Sequence, residues 1–175
     1  MPIDTSIDFV GINIAVITIS DSRTLENDTS GDTLEKRINE AGHHMMKRTI
    51  IPDDVSQIKE TLESMSKQKE IDCIITTGGT GLTGRDTTPE AVKEIANKYI
   101  DGFGELFRQV SFNKIGTSAI QSRAVAALIN STYVFCLPGS TGACKDGWDE
   151  ILKYQLDIRH KPCNFVEIMP RLNEK

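Results

Sequence analysis

The densest run of residues able to do chemistry is TTGGTGLTGRDTTPEA at 76–91. Gly78, Gly79 and Gly81 admit positive φ and let a ligand approach the backbone closely. Successive N–H groups in such a loop form a concave nest for phosphate oxygens. Thr77 and Thr80 add hydroxyl donors. No Gly-Lys-Ser/Thr follows, so this is not a Walker A loop, and neither GxGxxG nor a suitably placed ribose-binding acid is present. A Gly-Gly pair taken alone reads equally well as a tight strand-to-helix turn.

Asp53 and Asp86 form a second constellation, Asp53 just past one apolar run and Asp86 at the end of the loop that follows another. Paired carboxylates beside bound phosphates supply the hard oxygen ligands that Mg²⁺ takes. The bland alternatives are a helix cap for Asp53, and a cap or an Arg85 pair for Asp86. Ser20 and Asp21 follow the first apolar run, and Asp21 is open to the same two readings. Pro138, Gly139 and Ser140 make another turn ahead of a helix N-terminus, where free N–H groups and the dipole attract anions. Lys145 could add charge there. His43 and His44 are adjacent at a strand start and face opposite ways, and His160 stands alone, so zinc is not expected. Trp148 reads as core or subunit interface. Arg108 and Arg123 fall in apparent helices without a stated role.

The elements that must position these groups alternate. A β-branched run at 12–20 reads as a strand buried on both faces. A capped helix follows and ends near Gly42. Strand 43–51, a helix from 55 to about 69 and strand 71–77 come next. A helix at 88–98 opens with Pro89. The stretches 102–112 and 118–130 read as two further helices, 132–139 as the last strand, and 140–158 as a closing helix. This order predicts an α/β domain over 12–165, Rossmann-like, with a mostly parallel sheet covered on both faces. Residues 1–11 and 166–175 read as tails. In such sheets ligands bind beyond the carboxyl ends of the strands, and Ser20-Asp21, Asp53, the glycine loop with Asp86, and Pro138-Gly139-Ser140 all follow a strand end.

Composition agrees with an ordinary globular chain: 175 residues, 38% hydrophobic, 26% charged, net charge −5. That charge carries no electrostatic footprint for nucleic acid or an anionic membrane. The N-terminus lacks the basic and apolar regions of a signal peptide, and no apolar stretch is long enough to span a bilayer. Cys73, Cys136, Cys144 and Cys163 form no CxxC pair and read as free thiols in a reducing cytoplasm.

From about Asn13 to Phe165 the chain resembles the MogA/MoaB family of molybdenum cofactor biosynthesis proteins. The resemblance rests on TISDSR (18–23), IIPDD (50–54), 76–91, GFGELFRQVSF (102–112), SAIQSRA (118–124) and LPGS (137–140). Residues 42–44 and 148–165 look most like the family's B branch. The resemblance implies a three-layer α/β/α fold. It also implies Mg²⁺-dependent transfer of AMP from ATP to the terminal phosphate of molybdopterin, with release of pyrophosphate. Asp53 and Asp86 match the family's catalytic aspartates, and Gly78 to Gly81 its glycine loop. A homotrimer or hexamer and a molybdate-inserting partner protein are implied as well. The competing expectation is a non-catalytic molybdopterin- or nucleotide-binding protein of the same pathway. A nucleotide-dependent oxidoreductase lacks its glycine fingerprint.

Overall fold

β1 (Asn13–Ile19) is sealed on both faces, as its β-branched run requires. In the computed structural model, which describes residues 3–174, it lies inside a six-stranded sheet of order β2-β1-β3-β6-β5-β4. β2 (His44–Ile51), β1, β3 (Cys73–Thr77) and β6 (Thr132–Leu137) run parallel. β5 (Val125–Ile129) and the short β4 (Lys98–Tyr99) are joined to them antiparallel.

Helices cover both faces, giving the expected three-layer α/β/α arrangement. α1 (Thr29–Glu40), α4 (Asp101–Ile115) and α5 (Thr141–Gly147) pack on one face, over Val16, Ile75 and Phe135. α2 (Val55–Ser66) and α3 (Thr88–Ile95) pack on the other, over Ile17, Ile74 and Val134. Each fully buried side chain of this size contributes roughly 1.5–3 kcal/mol, so β1, β3 and β6, buried on both faces, anchor the two cores at once.

Two expectations are corrected. Residues 118–130 do not form a helix: a 3₁₀ turn (Gly116–Gln121) leads into β5. Ala and Leu favour helix locally, but Asn130 and Ser131 both adopt positive φ (49° and 67°) and close a two-residue hairpin onto β6. The closing helix runs without interruption from α5 through a π-helical turn (Trp148–Leu152) into α6 (Lys153–Gln155). Trp148 is buried, in keeping with a core role.

The presumed tails are docked. α7 (Phe165–Ile168) buries Val166, and the Tyr133 hydroxyl donates to the Phe165 carbonyl at 3.1 Å. At the other end, Asp4 N–H donates to Arg159 O at 2.8 Å, and Phe9 lies 5.2 Å from the His43 ring. Cys73, Cys136 and Cys144 are buried free thiols and Cys163 is exposed. Among the described residues no helix is long and apolar enough to cross a membrane.

Candidate functional site

The carboxyl ends of β1, β2, β3 and β6 open into a cleft of about 860 Å³. All the sequence-predicted site residues line it. Ser20 and Asp21 come from the end of β1, and Asp53 from the end of β2. Thr77, Gly78, Gly79, Thr80, Gly81 and Asp86 come from the loop after β3. Pro138, Gly139 and Ser140 come from the end of β6.

Hydrogen bonds stitch these strand ends together. Ser20 Oγ accepts from the amides of Ser22 and Arg23, turning the chain away from β1. Asp21 accepts from the Asp53 amide at 3.3 Å and pairs with Arg85. Gly78 N–H donates to Leu137 O at 3.0 Å, and Thr77 Oγ1 donates to Pro138 O at 3.1 Å, tying β3 to β6. Ser140 caps α5 by accepting from the Ala143 amide.

The glycines are demanded first by the protein itself. Gly78 (φ 112°) would place a Cβ 2.1 Å from Ile19 O. Gly79 (φ 64°) would place one 2.3 Å from Thr88 Oγ1 and 2.8 Å from Asp53 Oδ2, and Gly81 one 2.7 Å from Asp86 Oδ2. Both carboxylates are therefore packed directly on the loop. The amides of Gly79 and Thr80 have no acceptor among the described residues, although Thr80 is buried. A buried N–H without a partner costs free energy unless a ligand or water engages it.

Neither aspartate is a helix cap. Asp54, not Asp53, caps α2, accepting from the Gln57 amide at 2.9 Å. Asp53 Oδ1 accepts from the amide and hydroxyl of Thr87 (3.1 and 2.8 Å), and its Oδ2 has no donor among the described residues. Asp86 Oδ2 accepts from the amide and hydroxyl of Thr83 (2.8 and 2.6 Å). The Thr83 hydroxyl, with its amide, the Gly81 amide and Arg123, holds the Asp86 carboxyl below its ordinary range despite some burial. Both carboxylates are thus placed rigidly and keep lone pairs for a ligand.

No cluster of three or more His, Cys, Asp or Glu side chains able to hold a metal occurs among the described residues. Two carboxylates alone make no closed cage, but they fit Mg²⁺, which takes one or two protein carboxylates and completes its octahedron with phosphate oxygens and water. Cys144, 3.1 Å from Thr77 Oγ1, is no nucleophile at neutral pH, because burial pushes its thiol up to about 11.

Sequence reasoning missed the other wall of the cleft. α4 and the turn after it bring Phe107, Ser111, Ile115 and Ala119, and α1 brings Asp28 and Ser30. The α4 residues are spaced as an ordinary core-facing stripe, and no local signal marks them as a wall. Asp28 was legible only as a helix cap. Arg123 had no visible role, and it lies behind the loop, bonded to the carbonyls of Gly81 and Asp86.

Residues 15–158 match a family described as "Probable molybdopterin binding domain". Molybdenum cofactor biosynthesis protein B of Escherichia coli K12 is 42% identical over 160 residues, 91% of this chain and 94% of its own. The protein of the same name from Staphylococcus epidermidis is 40% identical over 149 residues, 83% and 85% of the two chains. A crystal structure of molybdenum cofactor biosynthesis protein B superposes with a TM-score of 0.85 at 36% identity, covering 95% of this chain and 98% of that one. The tungsten cofactor synthesizing protein MoaB of Pyrococcus furiosus gives 0.72 at 33%, covering 81% and 91%. On the family match over residues 15–158 and these identities, the chain belongs to the MogA/MoaB family of molybdenum cofactor biosynthesis proteins.

Proposed function

We propose that this protein acts in molybdenum cofactor biosynthesis by transferring AMP from ATP to the terminal phosphate of molybdopterin. The observation that carries the reading is the loop after β3: free amides at Gly79 and Thr80 lie beside two braced carboxylates with lone pairs to spare. In the transfer, a phosphate oxygen of molybdopterin attacks the α-phosphorus of ATP. The new O–P bond forms as the bond to the bridging oxygen breaks, and pyrophosphate leaves with that electron pair. Such a reaction asks the protein for positioning and charge stabilisation rather than covalent chemistry. The loop amides orient phosphate oxygens, and Asp53 and Asp86 would hold Mg²⁺. The ion, when bound, offsets the charge of the phosphates. Phe107, Ile115 and Ala119 offer an apolar wall for a flat heterocycle. Assembly as a homotrimer or hexamer, hand-over to a molybdate-inserting partner and a cytoplasmic setting complete the proposal.

The family's description as a molybdopterin binding domain favours a second reading, binding without transfer. One experiment separates the two. Purified protein is incubated with ATP, Mg²⁺ and molybdopterin, and adenylated molybdopterin and pyrophosphate are quantified. Equimolar accumulation of both products supports transfer. Tight pterin binding with neither product supports the binding protein.

A further inference from the structure

Arg123 stands where the 3₁₀ turn ends and the chain swings into β5, behind the glycine loop and outside the cleft. Its Nε donates to Gly81 O at 2.7 Å, and one terminal nitrogen donates to Asp86 O, also at 2.7 Å. The other terminal nitrogen pairs with Glu90 on the first turn of α3. Its backbone N–H donates to Thr80 O at 3.3 Å. One guanidinium thus grips both ends of the segment Gly81–Asp86 and anchors it to α3. Beyond the local Thr83–Asp86 bonds and the exposed Arg85–Asp21 pair, the tip of that segment packs on little: Leu82 is 68% exposed, and a Cβ at Gly84 would meet nothing.

We propose that Arg123 is a positioning residue that clamps the Gly81–Asp86 loop closed and so fixes Asp86 at the cleft. This deepens the adenylyl-transfer reading, on which its catalytic consequence rests. A planar fork with five fixed donors can hold two carbonyls and a carboxylate at once, whereas a lysine ammonium is a point charge on a flexible stem. With the fork gone, the carbonyls of Gly81 and Asp86 lose their shared donor. The loop then opens more often, and with it the Thr83–Asp86 hydrogen bonds that orient the carboxylate.

The test uses the full chain with Arg123→Ala and Arg123→Lys, read by site-resolved amide hydrogen exchange and by transfer kinetics. In both variants protection of the Thr83 amide should fall about 10- to 100-fold, while the amides of β1, β3 and β6 keep wild-type protection. A merely structural role would lower protection across the sheet. In the transfer assay, half-saturation should shift to higher Mg²⁺ and kcat should fall. If the alanine variant does not fold, the lysine variant, which keeps the charge on a single nitrogen but lacks the planar fork, carries the test. Wild-type protection at Thr83 in a folded variant overturns the clamp. So does full restoration by lysine, which would make charge alone sufficient. Because exchange needs no activity, an inactive wild type with a loosened loop in the variants would leave the clamp standing and remove only the enzymatic reading.

Discussion

Two aspartate settings on the same sheet edge are bonded in opposite ways. Asp28 is fully enclosed. Its Oδ1 accepts from the Gly31 amide, and its Oδ2 accepts from Thr18 Oγ1 and from Arg48. Burial raises its pKa, yet the bonds from Thr18, Gly31 and Arg48 outweigh burial and hold the carboxyl below its ordinary range. Arg48 reaches on to Asp32 and Glu35, closing a network that binds α1 to the edge strand β2. Asp53 and Asp86 are half-buried and braced from one side by threonines. Satisfied lone pairs leave a group nothing more to bind, and spare ones leave it open to a ligand. The residue type is the same in both.

The largest effect should come from breaking the satisfied side. Asp28→Ala removes a helix cap and the acceptor of Thr18 and Arg48, while Arg48 keeps Asp32 and Glu35, so stability should fall by about 2–4 kcal/mol. Urea unfolding would show a lower midpoint at unchanged slope. A loss near the ~0.5 kcal/mol typical of surface changes would mean that the network is not structural.

Asp86→Asn attacks the other side. Turnover to adenylated molybdopterin should drop about 10²-fold or more, while the unfolding midpoint barely moves. Asn keeps the shape and an oxygen for Thr83 but loses the charge. Equal rates at saturating Mg²⁺ would strip Asp86 of its catalytic assignment.

Glycines sharpen the contrast within one loop. Gly78→Ala forces a Cβ against Ile19 O at positive φ and should cost about 1–3 kcal/mol. Gly84→Ala, with open space around it, should stay within ~0.5 kcal/mol. Thermal melts of the two variants side by side decide this, and similar values would contradict the packing described.

A buried base gives the smallest effect. Burial pushes the pKa of His43 down to about 4 from 6.5, and its Nδ1 accepts from the Ile12 amide. The neutral form is therefore the folded form. Its contribution is complete above about pH 6.5 and is lost as pH falls towards 4, by about 1–2 kcal/mol between pH 7 and 5. His43→Phe should flatten that limb of the stability curve. A slope unchanged in the variant would assign the acid sensitivity elsewhere.

The sequence by itself determined the parallel core of the fold and the edge at which the candidate site residues gather. The apolar runs of β1, β3 and β6 are long, β-branched and period-consistent, so they specify buried strands without outside help. Each motif follows one of the parallel strands, and parallel strands deliver their carboxyl ends to a single edge. That is why Ser20, Asp53, Gly79, Asp86 and Gly139 meet in one cleft. Only the tertiary structure decided the rest. Residues 125–129 became a strand because a hairpin with β6 outweighed the helix propensity of Ala and Leu, and such pairing is non-local. Asp28 and Arg48, twenty residues apart, and Arg123 and Gly81, forty-two apart, carry no spacing signal, since side chains meet across elements only once the sheet is assembled. Whether an aspartate caps a helix, seals a buried ion pair or keeps a lone pair for a ligand depends on which donors the finished fold sets around it, and one sequence does not encode that count locally.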